Sequence, residues 1–225
     1  MKTRSIAIDG PSGAGKSTLA RKIAASYGYV YVDTGAIYRC VGLYALSRGV
    51  EARDNGAVTS LLREIDIAIC YDETGLQRML LNGKDVTDEI RRPEVSAAAS
   101  DVSANPEVRR FLLDMQRELA RKHDVVMDGR DIGTVVLPEA DLKIFLTATT
   151  EDRAQRRYLE LQQRGHMVSY DEVLRDMEVR DKNDSTRSVA PLKPAADAVI
   201  LDTTGNSYEK SYQIIRSLVE ERLCR

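Results

Sequence analysis

Gly10-Pro11-Ser12-Gly13-Ala14-Gly15-Lys16-Ser17 satisfies the pattern G-x-x-x-x-G-K-[ST] at every specified position. The flanking residues supply the context this pattern needs. Ser5-Ile6-Ala7-Ile8-Asp9 reads as a short buried strand. Ser17 to Tyr27 reads as an amphipathic helix with Leu19, Ala20, Ile23 and Ala24 on one face. Glycines let the backbone curl until successive N–H groups point at one centre. Lys16 then reaches the β- and γ-phosphates of a bound nucleoside triphosphate, and the Ser17 hydroxyl faces a Mg²⁺ ion. The loop implies a triphosphate and leaves the reaction open.

Outward from the loop, short apolar runs alternate with helical patterns. Strands are expected at Tyr29–Asp33, Asp124–Asp128, Leu142–Thr147 and Ala198–Asp202. Helices are expected at Ala36–Ser47, Pro106 to about Lys122, Thr150 to about Gln163 and Tyr208–Leu223. This order implies an α/β fold: a five-stranded parallel sheet with helices on both faces, of the P-loop nucleoside-triphosphate hydrolase kind. Right-handed crossovers bring the loops after each strand to one sheet edge, where ligands bind.

Two stretches break the alternation. Ile65–Tyr71, Leu76–Leu81 and Lys84–Val86 read as a small inserted antiparallel sheet, with the hairpin dipeptide Asn82-Gly83 in its second turn. Residues 164–194 are polar and rich in arginine. They are expected to form a helix over Ser169–Arg180 and then a mobile segment above the site.

Composition narrows the class. The chain has 225 residues, 43% of them hydrophobic, which is enough for one large domain with a core. With 33 basic and 35 acidic residues the net charge is −2, which argues against binding a nucleic-acid polymer. Cys40, Cys70 and Cys224 are scattered, without disulfide or metal spacing, and His123 and His166 are the only histidines. No apolar run is long enough to span a membrane. The first strand begins within a few residues of Met1, so no secretory leader is expected and a cytoplasmic, monomeric enzyme is.

The strand ends carry polar residues at the edge shared with the glycine loop. Asp128 reads either as a carboxylate holding Mg²⁺ through water or as the cap of an Asp-Gly turn. Arg39, Arg109, Arg130, Arg180 and Arg187 come from separate elements, and guanidinium forks match phosphate oxygens. Several of them point to a second anion facing the γ-phosphate. Arg110, Arg117 and Arg121 are instead expected to pair with Glu107, Asp114 and Glu118 along the long helix. Arg153, Arg156 and Arg157 open a helix, where cations oppose the dipole. They read either as a lid closing on phosphates or as partners of Asp152 and Glu160. No nucleophile–base pair is evident. A phosphate acceptor needs none, because its second pKa of about 6 leaves the attacking oxygen ionised. Asp72-Glu73-Thr74-Gly75 and Asn82-Gly83-Lys84-Asp85 faintly imitate guanine-nucleotide switch motifs, but lie too close together, and a hairpin explains both better.

The chain resembles the bacterial cytidylate kinases. The resemblance rests on Ile8–Thr18, on Asp33-Thr34-Gly35-Ala36-Ile37-Tyr38-Arg39 and on Asp128-Gly129-Arg130-Asp131-Ile132-Gly133-Thr134. Arg180-Asp181-Lys182-Asn183-Asp184-Ser185-Thr186-Arg187 and Ala190-Pro191-Leu192-Lys193-Pro194-Ala195 complete it, in family order across nearly the whole chain. It implies transfer of the ATP γ-phosphoryl group to CMP or dCMP with Mg²⁺. It also implies a core (1–35, 106–150, 195–225), a monophosphate-binding part (36–105) and a lid (151–194). ATP would lie on Gly10, Pro11, Ser12, Gly13, Ala14, Gly15, Lys16, Ser17 and Thr18. Arg39 and Arg130 would hold the CMP phosphate with Arg187 nearby, and Asp184 with Arg180 would meet the sugar. Ser100, Arg109 and Asp131 would read cytosine, and Thr34 and Tyr38 would complete the acceptor set. Lys16, Arg130, Arg153, Arg157 and Arg187 would act in catalysis. Thr34 stands where the family often has serine, and Arg109 rather than Arg110 keeps the family's spacing to Phe111-Leu112-Leu113. A kinase for UMP or AMP is the nearest alternative, and a GTP-dependent switch a more distant one.

Overall fold

The computed structural model describes residues 3–223, and Cys224 lies outside them. The chain opens with β1 (Ser5–Asp9), α1 (Lys16–Tyr27), β2 (Val30–Asp33) and α2 (Thr34–Ser47). A short helix α3 (Asn55–Leu61) leads into β3 (Ile67–Tyr71), β4 (Gln77–Leu81) and β5 (Lys84–Asp85). Then come α4 (Pro93–Val102), α5 (Pro106–Lys122), β6 (Val125–Gly129), β7 (Leu142–Thr147) and α6 (Thr150–Gln163). The chain closes with α7 (Tyr170–Thr186), β8 (Val199–Asp202) and α8 (Tyr208–Leu223).

The main sheet has the order β2-β6-β1-β7-β8, all parallel. Its central strands are buried on both sides because successive side chains feed opposite faces. Ala7, Val32, Val125 and Met127 pack with Ile37, Val41, Val108 and Leu112 of α2 and α5. Ile6, Ile8, Val126, Ile144 and Leu146 pack on the other face with Leu19 and Ile23 of α1 and Ile215 and Val219 of α8. This is the fold expected from the alternation. Leu146 is fully buried in the second of these layers. Leu146→Ala is expected to lower unfolding stability by about 2 to 5 kcal/mol, read from urea midpoints at an unchanged m-value.

The helix ends are specified locally. The side chains of Asp33, Asn105 and Thr149 cap α2, α5 and α6, and Ser169 with Glu172 forms a reciprocal capping box on α7. The inserted sheet is antiparallel, in the order β3-β4-β5. Asn82 (φ 50°) and Gly83 (φ 79°) both take positive φ, as a two-residue hairpin turn requires. Asp72 accepts from the Thr74 and Leu76 N–H groups in the preceding turn. Both switch-like stretches therefore belong to the hairpins of this sheet, the first as a turn and the second as a turn running into β5.

Two differences from the expected elements follow from long-range contacts. Helix α4 has only a narrow apolar stripe (Val95, Ala98, Ala99, Val102). It forms where Gly42 of α2 lets the Ala98–Ala99 backbone approach, and a Cβ there would meet Ala99 N at 3.0 Å. The segment expected to be mobile after Arg180, reaching to Pro194, begins instead with six further residues of α7 and is irregular only beyond Thr186. Its polar end is tied down by Asp181 to Arg153 at 2.6 Å, by Asp184 to Arg130 at 2.8 Å and by Leu192 N–H donating to Asp184 O. The base of α7 packs separately, with Val173 and Met177 against Ala154 and Leu161 of α6.

Candidate active site

The carboxyl ends of β1, β2 and β6 open into a cleft of about 680 Å³ walled by the glycine loop, α2, α4, α6 and α7. Gly10 (φ 147°), Gly13 (φ 75°) and Gly15 (φ 86°) give the loop its curl. Gly10 also has no room for a side chain, since a Cβ would lie 2.1 Å from Leu146 O. Lys16 is buried and donates from Nζ to Pro11 O at 2.7 Å. Burial, reinforced by Arg130, pushes its ammonium down to about 7.

Beside the loop, Ser17 Oγ donates to Asp128 Oδ2 at 2.8 Å, and the Tyr31 hydroxyl donates to Oδ1 at 3.0 Å. Burial, with Asp33 adding to it, raises the Asp128 carboxyl above its ordinary value. Among the described residues no group of three or more His, Cys, Asp or Glu side chains is placed to chelate a metal. Ser17 and Asp128 are both oxygen donors, the donor type that a hard cation takes.

The opposite wall is dominated by guanidinium groups. Arg39 pairs with Asp33 at 2.8 Å, and Arg91 reaches the same carboxylate oxygen at 3.0 Å. Burial would raise the Asp33 carboxyl, but Arg39 and Arg91 outweigh it and hold it well below the usual carboxylate range. Arg130 donates to Asp184. Arg109 and Arg187 (3.4 Å) both donate to Asp131, and Arg109 lies over the Tyr38 ring, 5.6 Å from its centroid. The Thr34 hydroxyl donates to Asp128 O at 2.8 Å and would lie 2.7 Å from a Cβ at Gly129, so the hydroxyl has room because residue 129 is glycine.

Three polar atoms in this wall are buried without a hydrogen-bond partner: Arg39 Nε, Ser100 Oγ and Arg180 Nε. Each belongs to a side chain lining the cleft. Buried donors are nearly always satisfied, so this cluster marks where a ligand's acceptors belong. Burial and the nearby Arg130 lower Arg180 to about 10, a cost that an anion would relieve.

The structure thus brings Lys16, Ser17, Thr34, Tyr38, Arg39, Ser100, Arg109, Asp128, Arg130, Asp131, Arg180, Asp184 and Arg187 to one cleft. Arg157 also lines it, while pairing with Glu160 at 2.8 Å. Arg153, expected among the catalytic residues, is placed differently. Its guanidinium is nearly inaccessible and donates to Ala148 O, Ser12 O, Thr150 Oγ1 and Asp181. These acceptors, above all the Asp181 carboxylate, offset the unfavourable helix dipole, and through Ser12 O and Asp181 Arg153 braces the glycine loop against α7. Arg110 faces out and pairs with Glu107 at 2.6 Å, whereas Arg117 donates to Val135 O and Val136 O rather than to an acid. Sequence reading missed Tyr31 and Arg91, which sit in no local motif. It also missed Asp9, which lies next to the glycine loop within the quoted match.

Residues 6–221 match the family model for cytidylate kinase. A cytidylate kinase of Caldicellulosiruptor bescii is 51% identical over 218 residues, covering 97% of this chain and 96% of that protein. One from Desulfitobacterium hafniense is 49% identical over 222 residues, covering 99% and 95%. Among solved structures, an uncharacterised protein from Eubacterium ventriosum shares the fold at a TM-score of 0.54 and 13% identity, covering 98% of this chain and 100% of its own. With the glycine loop, the arginine-lined cleft and full-length identity near one half all in agreement, this chain belongs to the cytidylate kinase family.

Proposed function

We propose that this enzyme transfers the γ-phosphoryl group of ATP to CMP or dCMP, giving ADP and CDP or dCDP, with Mg²⁺ on the triphosphate. The observation that carries this reading is the pair of unpartnered guanidinium nitrogens, Arg39 Nε and Arg180 Nε, in the same cleft as the glycine loop. Residues Gly10 to Thr18 hold ATP. Ser17 and Asp128 would hold the Mg²⁺ that accompanies the triphosphate, and the ion would supply neutralisation of phosphate charge. Arg39 and Arg130 grip the acceptor phosphate with Arg187 nearby, Asp184 and Arg180 meet the sugar side, and Arg157 closes from the lid.

The base is read by Ser100, Arg109 and Asp131. Cytosine offers an amino donor to the Asp131 carboxylate and acceptors to a guanidinium. Uracil would set a carbonyl against that carboxylate. The acceptor phosphate is its own nucleophile, so catalysis consists of alignment, charge neutralisation and exclusion of water. In this reading 36–105 and 151–194 move over the core as acceptor-binding part and lid, and the enzyme works as a cytoplasmic monomer.

ATP consumption measured against CMP, dCMP, UMP and AMP tests the proposal. CMP and dCMP should drive turnover, with UMP and AMP far behind. Equal ATP loss with no acceptor, or a preference for AMP, would overturn it.

A further inference from the structure

Asp9 is buried at the carboxyl end of β1, the residue before Gly10. Its two carboxylate oxygens each accept a backbone N–H from the loop after β6. Oδ1 accepts from Ile132 at 2.8 Å and Oδ2 from Gly133 at 2.7 Å. This loop carries Arg130 and Asp131. It continues as a widened turn in which Val136 N–H returns to Asp131 O and Leu137 N–H to Ile132 O. Such turns are uncommon and favour functional positions. Gly133 is pressed close as well, since a Cβ there would meet Lys143 Cδ at 3.2 Å and Asp9 Oδ2 at 3.4 Å. Lys143 is itself held by Asp197 at 2.8 Å.

We propose that Asp9 is the positioning residue for base selection: its carboxylate fixes the backbone of Ile132 and Gly133 and so sets where Asp131 points. The inference rests on the reading of Asp131 as the cytosine contact. Asp9 itself is not among the residues that line the cleft. It links the strand that begins the ATP loop to the loop that reads the acceptor, over 124 positions of sequence. Keeping a carboxylate buried is costly, and burial raises Asp9 to about 6. An amide of the same shape would turn a donor toward one of the two N–H groups. Only a carboxylate accepts both.

Asp9→Asn tests this. It should raise the KM for CMP by roughly tenfold and reduce the CMP-over-UMP ratio of kcat/KM by a similar factor, while the KM for ATP stays within about twofold. Gly133→Ala presses on the same contact from the other side. It should give the same split at about threefold, and it decides the matter if Asp9→Asn does not fold. Asp131→Ala is the control. If it leaves CMP-over-UMP discrimination intact, the reading of Asp131 fails. If it abolishes discrimination while folded Asp9→Asn or Gly133→Ala leaves the ratio and the KM for CMP unchanged, the positioning role alone is overturned. An equal rise in both KM values would also overturn it, since that is what a merely structural defect produces.

Discussion

Lys16→Ala should cut kcat by about a thousandfold while CMP still binds. The buried ammonium in the glycine loop lies 2.7 Å from Pro11 O, poised to turn to a triphosphate. Among the described residues no other lysine lines the cleft. Its alkyl stem is the smaller part of its value. What the variant loses is a fixed positive charge, held at a buried position, where the β–γ bridge becomes more negative in the transition state. Steady-state kinetics with equilibrium binding of CMP would separate the two effects. Near-normal turnover would contradict the role of the loop. The same residue has a signature in proton linkage. In the free protein its ammonium is lowered to about 7, by burial first and by Arg130 next. A polyanion favours the charged form, so ATP binding above pH 7 should take up a proton and weaken as pH rises. Calorimetry in buffers of different ionisation enthalpy reads this directly. Proton release on ATP binding would refute it.

Asp131→Ala should cost two orders of magnitude or more in discrimination between CMP and UMP, with ATP affinity nearly unchanged. Asp131 is buried and receives both Arg109 and Arg187, so removing it leaves two poorly solvated cations facing each other. A loss of about 3 to 5 kcal/mol of stability is therefore expected alongside the loss of selectivity. For that reason Asp131→Asn is the more informative partner. It keeps the volume and one acceptor, and its amide can donate to the uracil carbonyl. The ratio of kcat/KM for CMP over UMP should fall in both variants and fall further in the asparagine form. Unchanged ratios in folded protein would defeat the assignment.

Much of the frame was legible from local signals. The glycine loop needs its glycines because their φ values of 75° to 147° are closed to most side chains. The strands were legible because parallel strands buried on both faces leave short unbroken apolar runs. The long helix from Pro106 was legible with its proline at the start; in the structure Asn105 caps it and Val108 and Leu112 lie on its buried face. Helix α4 was not, because its stripe is mostly alanine and is recognised only by the glycine of α2 that it packs against. The last turns of α7 were not, because ion pairs with Arg130 and Arg153 hold them rather than an apolar face of their own.

The candidate site divides in the same way. Arg39, Arg130 and Lys16 stand in recognisable runs at strand ends. Arg153 stands in an equally suggestive run, yet its guanidinium braces the loop, since four acceptors around Ala148, Ser12, Thr150 and Asp181 converge on it. Tyr31 on Asp128 and Arg91 on Asp33 bridge 97 and 58 positions and left no trace in the local pattern.

By itself the sequence determined the parallel sheet, the triphosphate loop and the family to which the chain belongs. Each of these depends on backbone requirements and apolar spacing expressed within a few consecutive residues. Only the tertiary structure decided which of many arginines turn into the cleft and which are consumed as braces. It alone decided that Arg39, Ser100 and Arg180 keep a buried polar atom without a partner, and that Asp9 clamps the loop of Asp131. Hydrogen bonds and charge pairs act through space over about 3 Å, so their partners are set by where the sheet brings the strand ends together.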